Sequence, residues 1–210
     1  MMQALFKLCN AVYWLALAAW LALLVSAGVS AVAVFTTLGE MDLSLSQYEA
    51  FQPDPSDVPN AHAHLAAGQI LEPVFTLVDF AQFVVIPVLI ITLGIQLTVF
   101  RLKLRRPANL IRVTCIVIAS GLFAIHAFTR APQMNQDLKA YWDAAEQGDV
   151  AAALEHREAF NRRHPTAEAV LNVTLLLVVV ATVASAIAMT PDLPRGRTSG
   201  LQTPFLALRR

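Results

Sequence analysis

Four long apolar stretches constrain the fold of this chain more than any other feature. They cover about residues 11–38, 73–100, 110–128 and 169–189. Each is close to the ~20 residues that an α-helix needs to cross the hydrocarbon core of a bilayer. Only helices and closed barrels satisfy their backbone hydrogen bonds there. The sequence therefore predicts an all-α, polytopic membrane protein whose four transmembrane helices form a bundle.

The first stretch is expected to remain in the mature protein. Lys7 precedes it, and "SAGVSAVA" near its end is similar to a signal-peptide cleavage region. However, the apolar part of a signal peptide is only about 7–15 residues long, and this stretch is nearly twice that length. The low charged fraction of the whole chain, 14% against about a quarter in soluble domains, agrees with four retained spans.

The connecting segments predict one membrane domain over residues 1–190. Residues 39–64 form a polar, proline-rich external loop that contains acids and no Lys or Arg. Residues 131–164 predict two short helices broken at Gly148, with Pro165 ending the second helix before span four. We therefore expect a short extracytoplasmic helical hairpin between spans three and four. Residues 191–210 form a basic tail rich in Pro and Gly.

The distribution of basic residues predicts the orientation in the membrane. Four spans place both termini on one side, together with the connection "RLKLRRPANLIR" between spans two and three. That side carries ten of the 15 Lys and Arg residues and only one acid, Asp192. Because short positively charged loops stay cytoplasmic, we expect both termini and the basic tail to be cytoplasmic. The expected location is a bacterial inner membrane.

Polar residues at similar depth predict a cluster in the outer half of the membrane. Span two brings Asp79 below the outer surface, and an ionised carboxylate in lipid needs a partner. Arg130 and His126 on span three are the expected partners, because the short connection favours side-by-side packing of spans two and three. The candidate residues are Glu72, Asp79, His126, Arg130, His164, Glu168 and Asn172. The cluster can be a structural ion pair, a site for a proton, an ion or a headgroup, or simply hydrated residues at the interface.

Other chemistry has weaker support in the sequence. His62 and His64 can hold a metal only with further ligands, and none stands at a typical spacing. A haem would need two axial histidines at matched depth, and only His126 lies clearly within a span. Cys9 and Cys115 form no recognisable pair. We expect no metal, no cofactor and no enzymatic activity. The basic connection is expected to contact anionic lipid rather than nucleic acid.

Short segments along the chain resemble a family of four-helix membrane proteins, the one that includes transmembrane protein 205. The first span ends in Phe35-x-x-Leu38, "AAGQILEPVF" opens span two, and "APQMNQ" follows span three. Phe160, His164 and Asn172 lead into span four. The His-to-Asn spacing is one residue longer than the family pattern, and the first external loop is longer. The resemblance implies a four-span fold and no particular reaction.

Together these features predict a non-catalytic subunit or scaffold of a membrane complex. Its expected partners are the lipid bilayer and either other membrane subunits or further copies of the same chain. One alternative is transport of an ion, a proton or a small molecule through the polar outer-leaflet cluster. A second alternative is a redox protein that binds haem or quinone.

Overall fold

The computed structural model describes residues 1–189, so the basic tail predicted at 191–210 lies outside the described residues. Helix is the regular structure throughout this part of the chain, which confirms the all-α prediction. The α-helices are α1 Met2–Gly39, α2 Ala61–Thr98, α3 Pro107–Ile125, α4 Ala131–Glu146 and α5 Val150–Met189. A 3₁₀ turn at Ser46–Tyr48 interrupts the first loop, and a π-helical segment at His126–Arg130 joins α3 to α4.

Four helical rods are long and apolar enough to cross a membrane, which confirms the four predicted spans. Because the π segment continues α3 directly into α4, Pro107–Glu146 forms one rod of 40 residues. The other rods have 38, 38 and 40 residues. At about 1.5 Å per residue these rods are ~57–60 Å long, roughly twice the hydrocarbon thickness. Each rod therefore extends well beyond its membrane-spanning part.

The predicted hairpin at 131–164 is an extension of spans three and four and not a separate pair of helices. Its turn lies at Gly148, as predicted, and the backbone N–H of Ala152 donates to Asp149 Oδ1 at 3.0 Å. The prediction that Pro165 ends a helix is wrong, because α5 continues through it. Before Pro165, Ala153 of α5 shares a buried cluster with Tyr141 of α4, and after it Val178 shares the core with Ile116 of α3. This packing outweighs the single backbone hydrogen bond that a proline removes.

The rods are arranged as two hairpins, α1 with α2 and α3–α4 with α5. The two hairpins meet mainly through α1 and α5, whereas α2 and α3 have little contact. The expected side-by-side packing of spans two and three is therefore wrong. Residues 99–106 can extend to about 26 Å, which is enough to join helices that are not neighbours. All four rods nevertheless contribute to one buried core, which includes Trp20, Leu89, Ile116 and Val178.

A second buried cluster lies where the first loop folds over the hairpin turn. Its largest members are Tyr48, Phe51, Leu65 and Tyr141. Gln69 donates a hydrogen bond to the Tyr48 hydroxyl, and burial, together with the nearby acidic side chains, raises the pKa of that hydroxyl. We call residues 40–60 and 131–164 the outer cap, after the side of the membrane on which the sequence predicts them. The opposite end, with the 99–106 loop and the first residues of α1, is the terminus end.

The outer cap depends on a close approach at Gly148, which generates a first prediction. Gly148 has φ +73°, and an added Cβ would lie 2.9 Å from the Ala50 Cβ. We expect Gly148→Ala to destabilise the protein by about 1–2 kcal/mol from backbone strain alone, and to loosen the first loop. Thermal unfolding in detergent measures the change.

Gly121→Ala is the matched control, because an added Cβ there meets nothing within 4 Å. Replacing this helical glycine is expected to stabilise the protein by about 0.5–1 kcal/mol. Equal unfolding temperatures for the two variants would contradict the close packing of loop and hairpin.

Candidate functional site

The structure does not assemble the seven polar residues predicted to meet in the outer half of the membrane. On α5, His164, Glu168 and Asn172 lie on one face and are exposed. On α2, Glu72 and Asp79 are half-buried. His126 and Arg130 are half-buried on the π segment. The depth of each residue follows from its position along its helix, but the α5 residues point away from the core.

Asp79 is linked to α1 and not to span three. The Gln82 side-chain amide donates to Asp79 Oδ1 at 3.4 Å. Gln82 Oε1 in turn accepts a hydrogen bond of 3.0 Å from the indole N–H of Trp20, and both of these residues are buried. The predicted pairing of Asp79 with Arg130 or His126 is therefore wrong. The physical reason is that α2 packs against α1 along most of its length.

Aromatic rings fill the place where α2 approaches the π segment. The ring centroid of Phe83 lies 5.1 Å from that of Phe123 and 5.6 Å from that of Phe128. Phe83 is one turn from Asp79 on α2, so the contact between these helices at this level is apolar. The His126 Nδ1 atom is buried and has no hydrogen-bond partner within the described residues.

The two histidines near the start of α2 do not face a common point. The backbone N–H of Leu45 donates to His62 Nδ1 at 2.9 Å, and His62 Nε2 lies 3.2 Å from the Phe51 carbonyl oxygen. His62 thus fastens the first loop to α2, while His64 is exposed beside Phe35. Residues 1–189 contain no group of three or more His, Cys, Asp or Glu placed to share a metal. Both cysteines are free and buried.

A different group of buried polar side chains lies between the helices at the terminus end. We give the name terminus-end polar cluster to six polar residues of α1, α2, α3 and α5 near this end, namely Asn10, Tyr13, Gln96, Asn109, Arg112 and Ser185. The direct contacts among them are those of Tyr13 with Ser185 and with Arg112. The side chains of Gln96 and Arg112 are 0% exposed. The Tyr13 hydroxyl shares a hydrogen bond of 2.5 Å with Ser185 Oγ. The guanidinium carbon of Arg112 lies 5.5 Å from the centre of the Tyr13 ring, which is a cation–π contact.

Many buried atoms of this cluster have no hydrogen-bond partner in the described part of the chain. All three nitrogen atoms of the Arg112 guanidinium belong to this set. So do both polar side-chain atoms of Gln96 and the Oδ1 atoms of Asn10 and Asn109. Because most buried polar groups in proteins are paired with protein or ordered water, these unpaired atoms near one end of the helices indicate groups that take partners from outside the chain.

The sequence reasoning missed this cluster because it treated Arg112 only as the last residue of a basic connection. A usable signal was present in the spacing along α3. Asn109, Arg112, Ile116, Ala119 and Phe123 recur every three or four residues, which places them on one helix face. All five are buried. The two polar members therefore share the face that α3 turns to the core.

Comparisons with protein-family models, with curated proteins and with solved structures gave no match to this chain. The resemblance to the family that includes transmembrane protein 205 therefore stays a prediction. What the structure does establish is a membrane protein with four helices capable of spanning a bilayer. Near one end of these helices, the described residues include several buried polar atoms without hydrogen-bond partners.

Proposed function

We propose that the protein is a non-catalytic subunit of a membrane complex and that the outer half of α1 is its contact surface. The observation that supports this is a stripe of exposed apolar side chains on α1. Val29, Val32 and Phe35 are 61%, 66% and 46% exposed. Their spacing of three residues places them along one side of the helix.

The last residue of the stripe reaches the level at which α5 carries exposed arginines. The Tyr13–Ser185 hydrogen bond fixes the relative height of α1 and α5. Since both helices rise about 1.5 Å per residue in opposite directions, Val32 lies near the level of Thr166. Arg162 and Arg163, one turn further along α5, are exposed, which is typical of a water-facing segment.

Apolar side chains at this level are stabilised by burial against another protein surface. By the same alignment, Phe35 lies at the level of Arg163, where exposed arginines indicate water, and Val32 and Val29 lie about one and two turns nearer the middle of the bilayer. An apolar helix from another membrane subunit, or from a second copy of this chain, would remove the stripe from water. The absence of a recognisable catalytic motif in the sequence agrees with such a role.

Site-specific photo-crosslinking provides the test of this subunit role. A photoreactive amino acid at Val32 is expected to form a protein adduct in native membranes, because its side chain lies in the proposed contact. Leu176 is the matched control, since it is 61% exposed on α5 near the middle of the membrane. There we expect no protein adduct.

The mass of the adduct identifies the partner. An increase of one further 22.8 kDa chain indicates a second copy, and any other increase indicates a different subunit. Equal adduct yields at Val32 and Leu176, or lipid adducts alone at Val32, would refute the proposed contact surface.

We also propose that the protein lies in a bacterial inner membrane with both termini in the cytoplasm. The basic residues of the 99–106 loop and Lys7 support this orientation, because they belong to the terminus end. The first loop at the opposite end carries acids and no Lys or Arg. Positive charge retained on the cytoplasmic side is the expected asymmetry.

Labelling of single cysteines tests the orientation. Ser56 and Arg105 are both exposed, one in the outer cap and one in the 99–106 loop. In a background without native cysteines, Ser56→Cys is expected to react with a membrane-impermeant maleimide on intact cells. Arg105→Cys is expected to react only after permeabilisation. The reverse pattern would overturn the proposed orientation.

Transport of an ion or a proton is a second candidate function, and Asp79 favours it. This carboxyl is half-buried in α2, and within residues 1–189 its one hydrogen bond is the long contact from Gln82 in the same helix. No basic side chain within residues 1–189 forms an ion pair with it. An ionisable group held in a span without a countercharge marks an ion or proton pathway in many membrane proteins.

Two substitutions separate this role of Asp79 from a structural one. Asp79→Asn is expected to keep or raise the unfolding temperature in detergent, because it removes an unpaired charge from a half-buried position. Gln82→Leu is expected to lose about 1–3 kcal/mol, because it leaves the buried Trp20 N–H without an acceptor.

If Asp79 carries a proton or an ion, Asp79→Asn also abolishes flux into proteoliposomes that the unmodified protein supports. The transport candidate fails if the unmodified protein shows no flux. It fails equally if Asp79→Asn destabilises the protein as much as Gln82→Leu does.

A further inference from the structure

We propose that the terminus-end polar cluster binds a phosphate group that carries hydroxyl substituents, of which a glycerol phosphate headgroup is the simplest. This proposal is independent of the subunit role, because the two surfaces lie at opposite ends of the molecule. It rests on the charge of Arg112, on the unpaired oxygen atoms around it and on the position of the cluster.

Arg112 carries an enclosed charge, which an anion would neutralise. Its guanidinium is enclosed, and none of its nitrogen atoms donates to an oxygen of the described chain. Its guanidinium carbon lies 5.5 Å from the centre of the Tyr13 ring, and Tyr13 carries no charge that would neutralise Arg112 while its hydroxyl is protonated. A cation without a counterion is costly in a protein interior. The planar guanidinium fork matches two oxygen atoms of a phosphate group, which forms paired, charge-assisted hydrogen bonds with it.

The cluster also contains a set of unpaired oxygen atoms, which hydroxyl groups of a ligand can pair with by donating hydrogen bonds. Asn10, Gln96 and Asn109 each present a buried side-chain oxygen without a donor. A fully ionised phosphate offers only acceptors, so it satisfies Arg112 and leaves these oxygens unpaired. A phosphate ester with hydroxyl groups supplies both an anion and donors. The Gln96 amide nitrogen, which is also unpaired, adds one more donor toward the phosphate.

The position of the cluster agrees with a headgroup at the membrane surface. Arg112 lies five residues after Pro107, the first residue of α3, which is about 7–8 Å along the helix. Exposed basic residues of the 99–106 loop, Arg101, Lys103 and Arg105, lie next to the start of α3. Basic pockets between membrane helices on the cytoplasmic side are a recurring form of anionic headgroup site.

Two residues of the cluster hold the loop that covers it. The backbone N–H of Leu102 donates to the Gln96 carbonyl oxygen at 3.2 Å. The Asn109 side-chain amide donates to the Lys103 carbonyl oxygen at 2.9 Å. Since the loop is attached through Gln96 and Asn109, we expect a displacement of the loop to release both residues, and Arg112 lies one turn further along α3 from Asn109. The basic side chains of the loop attract an anion to this entrance.

Binding is tested with purified, delipidated protein in detergent. The unfolding temperature is measured after addition of dioleoyl phosphatidylglycerol, dioleoyl phosphatidylcholine or free glycerol 3-phosphate. We expect phosphatidylglycerol to raise the unfolding temperature more than phosphatidylcholine does. A comparable rise with glycerol 3-phosphate identifies a soluble phosphate ester as the ligand, and a rise with phosphatidylglycerol alone identifies the lipid. No preferential rise with either would overturn the proposal.

Substitutions assign the effect to the cluster. Arg112→Gln is expected to weaken the apparent affinity by at least about tenfold, because it removes the charge that pairs with the phosphate. Arg112→Lys keeps the charge without the planar fork and is expected to restore binding partially. Arg105→Gln is the control for surface charge and is expected to bind almost as the unmodified protein does.

Gln96→Leu provides a second measurement if Arg112→Gln does not fold. It removes an amide donor and an acceptor while leaving the charge in place, and the affinity is expected to fall several-fold. The proposal is wrong if Arg112→Gln elutes as a folded protein and keeps the ligand-induced rise. It is also wrong if Arg105→Gln loses as much affinity as Gln96→Leu.

Discussion

The contact between Tyr13 and Ser185 holds the two helical hairpins of this protein in register. Tyr13 is completely buried, its hydroxyl bonds to α5, and its ring lies under the guanidinium of Arg112 on α3. One side chain of α1 thus contacts both helices of the other hairpin. Since lipid provides no hydrophobic force between helices, packing and such interhelical hydrogen bonds stabilise the association. The relative height of α1 and α5 follows from this contact, and the Trp20–Gln82 hydrogen bond sets the relative height of α1 and α2 in the same way.

The spans could be predicted from the sequence because a bilayer imposes a simple length requirement on apolar stretches. The ends of the helices could not be predicted from the sequence, because they depend on packing outside the bilayer. Pro165 is a strong local signal for a helix end, yet α5 continues through it while packing on α4 and α3. Gly148 was predictable as a turn, since its positive φ is a local property that favours glycine.

The candidate site was harder to predict, because the sequence specifies depth along a helix and not the direction of a side chain. Asn172 and His126 were placed at similar depth, but Asn172 is exposed on α5. Asp79 on α2 does not pair with span three, because the short 99–106 loop does not require α2 and α3 to be neighbours. Arg112 shows the converse error, since a residue counted with a surface charge cluster is completely buried.

The proposed orientation and the proposed phosphate site have a common physical basis. Arg112 belongs to the basic connection on which the proposed cytoplasmic orientation rests, but it is buried between the helices while Arg105 is exposed. Anionic lipids give the cytoplasmic leaflet its negative surface potential. The charge pattern that orients the chain would therefore also bring Arg112 to the leaflet that supplies an anion. An inverted chain would keep the same buried charge but face a surface with fewer anionic groups to pair with it.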